Sequence, residues 1–129
     1  MNFKELGLCD QILESINEKG YKNPTEIQKQ SIPHILMGRD ILGCAQTGTG
    51  KTGSFVMPLI EILSSGKSKS RMPRSLILAP TRELAMQVSE EFNLLNKHLK
   101  LQMALLIGGV SFAEQDNKIT KGVDVLIAT

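Results

Sequence analysis

Residues 44–55 read CAQTGTGKTGSF, and their spacing answers to two phosphate-binding signatures. Gly48, Gly50 and Gly53 fit the G-x-G-x-x-G turn that holds a dinucleotide, whereas Gly50-Lys51-Thr52 is the close of a nucleoside-triphosphate loop. The strict triphosphate pattern asks for glycine at position 45, where this chain has Ala45. A dinucleotide site also needs an acid for the ribose hydroxyls, roughly 20 residues beyond the glycines. No Asp or Glu occurs from Ile62 to Arg82, and Arg71 and Arg74 fall before the second apolar run, away from the end where such a cofactor would lie. The triphosphate reading gains from the same residues. Backbone amides around Gly48 and Gly50 can form a nest at a helix N-terminus for the β-phosphate. Lys51 then reaches the β- and γ-phosphates, and the Thr52 hydroxyl ligands Mg²⁺, which makes these two the candidate catalytic pair. Ala45 is compatible provided its φ stays negative, and Gly53 reads as an incidental first-turn glycine costing about 1 kcal/mol relative to alanine.

Such a loop needs a strand before it and a helix after it. Four continuous apolar runs, Ile41–Cys44, Leu76–Ala79, Met103–Ile107 and Val123–Ala128, suit strands buried on both faces of a parallel sheet. Between them the spacing predicts helices over 51–63 and 111–120 and, most clearly, one in which Leu84, Val88, Phe92 and Leu95 face the sheet, leaving Glu83, Gln87, Glu90, Glu91 and Lys97 to solvent. Two further helices precede the loop: one capped by Asp10 and ended by Gly20, the other opening at Pro24-Thr25-Glu26-Ile27-Gln28 and interrupted by Pro33. The expected fold class is α/β, with ligands at the carboxyl ends of the strands.

The totals fit one soluble unit. The 129 residues are 41% hydrophobic and 22% charged with a net charge of +2, which excludes both a disordered chain and a strongly basic polyanion binder. No apolar run nears the ~20 residues of a membrane span, and Cys9 and Cys44 lack metal or redox spacing, so a reduced, cytoplasmic setting is expected. Four cations without an acid in Ser64–Arg74 read as a solvated loop. His34 and His98 have no partners at metal spacing, and His98 suits a helix C-terminus.

Beyond the loop, three features carry chemistry. Thr25-x-x-Gln28 leaves two roles open for Gln28: a capping box that satisfies the Thr25 amide, or a planar donor and acceptor matched to adenine. Phe3 could stack on a base or pin the N-terminus to the core. Arg82 follows a strand at the edge where ligands bind, free for phosphate or paired with Glu83 or Glu114.

Gly20–Gln28 resembles the Q motif of DEAD-box RNA helicases, with Phe3 at the position of that family's isolated aromatic. Ala45–Thr52 is similar to motif I, in which alanine comes first, Pro80–Leu84 to motif Ia, Gly108-Gly109 to the GG element, and Leu126–Thr129 to the approach to motif Ib. The likeness spans the chain in the right order. It implies a RecA-like P-loop domain, a mostly parallel sheet flanked by helices, with residues 1–29 as the Q-motif region and 30–129 as the P-loop core, and with the chain ending after its fourth strand. It implies an ATP-dependent RNA helicase whose nucleotide meets Phe3, Tyr21, Lys22, Gln28, Ala45, Gln46, Thr47, Gly48, Thr49, Gly50, Lys51 and Thr52, and whose RNA backbone meets Pro80, Thr81, Arg82, Gly108 and Gly109. ATP or ADP, Mg²⁺, RNA and a second RecA-like domain are the expected partners. The acidic Asp-Glu-Ala-Asp strand end, the Ser-Ala-Thr segment and that second domain lie beyond these residues. The chain alone is therefore expected to bind nucleotide weakly, without turnover, and to self-associate through an uncovered sheet. An NAD(P)-binding domain and a non-enzymatic RNA or protein module are the competing readings.

Overall fold

In the computed structural model, residues 2–66, 73–108 and 122–129 are described. A short 3₁₀ turn, Phe3–Leu6, leads into α1 (Asp10–Lys19), α2 (Glu26–Leu36), α3 (Lys51–Ser65), β1 (Ser75–Leu78), α4 (Arg82–Leu95), β2 (Met103–Leu106) and β3 (Val125–Ala128). The strands pair in parallel in the order β1-β3-β2, which requires crossovers between consecutive strands. The expected helix over 111–120 lies outside the described residues.

Local chemistry sets each boundary. The helix α1 buries Ile12 and Ile16 and stops at Gly20, whose φ of 88° suits glycine and whose amide donates to Asn17 and Ile16 carbonyls. Its N-cap is Cys9 rather than Asp10; the Cys9 amide donates to the Glu61 carboxylate at 2.9 Å, and Asp10 supplies first-turn negative charge instead. In α4 the Thr81 hydroxyl accepts from the Leu84 amide, and Val88, Phe92 and Leu95 are buried as the spacing predicts. The helix α2 runs through Pro33 to Leu36, against expectation. Proline removes a single donor late in the helix, and packing of α2 along α3 holds the remaining turn.

Among the described residues the main core packs on one face of the sheet. Ile77, Met103, Leu105, Val125 and Ile127 share the side that joins the core with Val88, Phe92 and Leu95. On the opposite side Leu76 and Leu78 are 58% and 70% exposed. The expected strand Ile41–Cys44 does not form: Leu42 is 94% exposed, and a cavity of about 490 Å³ separates Ile41 and Gly43 from Ile77–Ala79. A parallel strand exists only through a neighbour's backbone, and among the described residues none reaches this segment. The sheet therefore has three described strands, not four.

Candidate nucleotide-binding site

Three elements converge on a cavity of about 810 Å³ whose walls include Phe3, Tyr21, Lys22, Gln28, Gln46, Thr47, Gly48, Gly50, Lys51 and Thr52. Of the residues expected to meet nucleotide, only Ala45 and Thr49 stand outside this lining, one step away in the same loop. The loop runs into α3, which begins at Lys51 without a side-chain cap. Its first amides are therefore left for an anion. Gly48 and Gly50 take φ of 85° and 80°, conformations that a side chain would strain, whereas among the described residues no non-glycine has positive φ, Ala45 included. A Cβ at Gly48 would meet nothing within 4 Å, so the loop stays open on that side. The Lys51 ammonium donates to the Ala45 carbonyl at 2.9 Å. It is exposed and needs only to swing from a neutral carbonyl to a charged phosphate. Thr52 lines the same cavity, so its hydroxyl is placed to act as a ligand for a phosphate-bound cation.

Gln28 is buried at 5% exposure and hydrogen-bonded at both ends of its amide. Its Oε1 accepts from the Thr25 amide at 3.0 Å, and its Nε2 donates to the Gly50 carbonyl at 3.1 Å. The capping box is thus real, and the same amide braces the phosphate loop across 22 positions. This explains a glycine that the sequence left as incidental. A Cβ at Gly53 would come within 3.0 Å of Gln28 Nε2 and 3.1 Å of Met57 Cε, and one at Gly50 within 2.6 Å of that Nε2. Gly50→Ala combines this clash with a left-handed backbone, so a loss of about 2 kcal/mol or more is expected, read as a lower melting temperature together with lost ADP binding.

Phe3 is buried and joins the hydrophobic core while lining the cavity, so its pinning role is visible in the fold. Tyr21, expected to meet nucleotide, is 38% exposed at the cavity rim. The sequence reading missed the wall from α4. Leu84, expected to face the sheet, is instead 37% exposed and lines the cavity with Gln87 and Glu91, at i, i+3 and i+7 of a helical stripe beside Val88, Phe92 and Leu95. Glu91, expected in solvent, is partly buried.

The second set of residues gathers at the carboxyl edge of the sheet. Leu78 and Leu106 both align with Ala128, so Pro80-Thr81-Arg82 and Gly108 emerge side by side, two strand spacings or about 10 Å apart. Gly109 lies outside the described residues. Pro80 and Arg82 are exposed, and Arg82 forms no ion pair among the described residues; the Thr81 hydroxyl is already committed to capping α4.

Away from this edge, the fold brings His98 to Glu14 and Glu18, their ligand atoms within 4.8 Å of one another. Lys97 donates to Glu18 at 2.8 Å, as His98 does to the other carboxylate oxygen. The two hydrogen bonds, that from Lys97 first, hold the Glu18 carboxyl below its ordinary pKa. Being exposed, this network tethers α1 to the end of α4 only loosely, and Glu18→Gln should leave the melting temperature nearly unchanged.

A parallel sheet with a glycine-rich loop opening an uncapped helix defines a P-loop nucleotide-binding domain. The chain belongs to the DEAD/DEAH box helicase family, whose profile matches residues 25–129. Over 128 residues it is 44% identical to the ATP-dependent RNA helicase SrmB of Escherichia coli (strain K12), covering 98% of this chain and 29% of that protein. The crystal structure of the RNA helicase Prp28 from Chaetomium thermophilum bound to ADP superposes with a TM-score of 0.91 at 38% identity, over 99% of this chain and 32% of that one. A DEAD box protein from the hyperthermophile Methanococcus jannaschii gives 0.90 at 39% identity, over all of this chain and 34% of its own. The chain thus spans about a third of the length of these relatives. Among the described residues no helix is long and apolar enough to cross a membrane.

Proposed function

We propose that this chain is the ATP-binding and RNA-gripping part of an ATP-dependent RNA helicase. The observation that carries the reading is the convergence of the uncapped α3 N-terminus, the Lys51 ammonium and the Gln28 amide on one cavity. The phosphates of ATP or ADP lie against the amides of Gly48–Thr52, Lys51 supplies the positive charge, and the Gln28 amide selects adenine while Phe3 and Tyr21 border the base. Mg²⁺, when bound, neutralises phosphate charge, with the Thr52 hydroxyl as the ligand this chain offers. RNA is held along its sugar-phosphate backbone by Pro80, Thr81, Arg82 and the Gly108-Gly109 turn, a grip that is tolerant of sequence and sensitive to salt. Hydrolysis and strand separation belong to the complete two-domain enzyme, since in-line positioning needs cations and acids on both sides of the transferred phosphate. The free thiols Cys9 and Cys44 suit the cytoplasm.

The test is a titration with ADP, GDP and NADH. ADP should bind, GDP more weakly and NADH not at all. Gln28→Ala should narrow the gap between ADP and GDP and also cost about 1–3 kcal/mol of stability, because the Thr25 amide and Gly50 carbonyl lose their buried partner. Equal binding of GDP to the wild-type protein refutes the assignment of adenine recognition to Gln28.

A further inference from the structure

The wall that α4 gives to the cavity carries an acid that no part of the phosphate or base reading uses. Glu91 lines the cavity with Gln87 and Leu84, and its Oε1 lies 3.7 Å from the point a Gly53 Cβ would occupy, beside Gln28 Nε2 at 3.0 Å from that point. It therefore stands over the first turn of the helix whose N-terminal amides receive phosphate. The carboxylate is partly buried, and no ion pair among the described residues engages it.

We infer that Glu91 sets the polyphosphate affinity of this cavity through its charge: the carboxylate opposes the bound phosphates, and its removal tightens binding by a factor that grows with phosphate number. This rests on the nucleotide reading of the cavity. A partly buried anion beside a polyanion site is screened far less than one in open water. Tyr21 and Lys22 of the turn after α1 and Lys51 at the start of α3 line the cavity with it, and Lys19 of α1 acts on it. Burial pushes the Glu91 carboxyl above its ordinary range while Lys19 pulls the other way. The Tyr21 phenol is raised by burial and then by the Glu91 charge, which places that charge within electrostatic reach of the cavity rim. A bound polyphosphate adds negative field of the same sign and pushes the Glu91 carboxyl further in the same direction.

The experiment measures AMP, ADP and ATP by competition against a fluorescent ADP, at low salt and fixed pH, for wild type, Glu91→Gln, Gln87→Glu and Lys51→Ala. Glu91→Gln keeps the shape and removes the charge; it should tighten ATP roughly three- to tenfold, ADP less and AMP least, with the spread collapsing at high salt. Gln87→Glu adds an acid to the same wall and should weaken the three in the same order. No gain, a gain equal across the three, or a loss in Glu91→Gln overturns the inference, a loss in all three marking Glu91 as a direct ligand instead. Unchanged binding in Lys51→Ala would sink the nucleotide reading itself, so the two failures are told apart.

Discussion

Lys51→Ala is expected to weaken nucleotide binding by roughly tenfold or more and to leave the fold intact. The ammonium is exposed and among the described residues holds only the Ala45 carbonyl, so its loss removes one solvent-accessible hydrogen bond, worth about 0.5–1.5 kcal/mol. On the proposed reading the same group meets phosphate oxygens bearing full charge in the complex, and charge-assisted bonds contribute about 1.5–3 kcal/mol each. Losing one or two of them weakens ADP by roughly 10- to 10,000-fold. Calorimetric titration and thermal melting on one preparation check both halves. A variant that binds ADP normally contradicts the proposed site, and one that melts far below wild type shows that Lys51 serves the fold.

The second large effect is on stability. Phe92 is fully buried near the C-terminal end of α4, where the helix joins the core with the sheet. Phe92→Ala removes the ring and leaves a cavity, a change that costs about 3–5 kcal/mol. Domains of this size hold only about 5–15 kcal/mol in total, so a drop in melting temperature of roughly 10 °C or more is expected. The measurement is urea unfolding followed by far-ultraviolet circular dichroism; a shift under 1 kcal/mol would mean that the α4–sheet contact is not the stabilising core.

Much of this was legible because it is written locally. Gly20 ends α1 and Thr81 starts α4 through bonds to residues within four positions. The stripe of α4 and the apolar runs of the three strands follow from periodicity, and the glycines of the phosphate loop from backbone sterics. The rest depends on partners far along the chain. Nothing in the apolar runs tells that β3 lies between β1 and β2, because strand order depends on crossovers rather than composition. The run Ile41–Cys44 has the composition of a strand but no neighbour among the described residues. His98 and Glu18 meet across 80 positions, and Gln28 and Gly50 across 22. The roles of Gly53 and Glu91 depend on that last meeting, so spacing around either residue alone could not reveal them.

The brace between Gln28 and Gly50 fixes the amide before any base arrives. The Thr25 amide takes one lone pair of Oε1 and the Gly50 carbonyl one hydrogen of Nε2, so on the proposed reading the second lone pair and the second hydrogen are left to meet adenine. A side chain already held in place gives up little rotamer freedom when the base docks. A purine whose edge does not set a donor beside an acceptor in that order leaves half of the amide unpaired and departs faster, so discrimination appears chiefly in residence time.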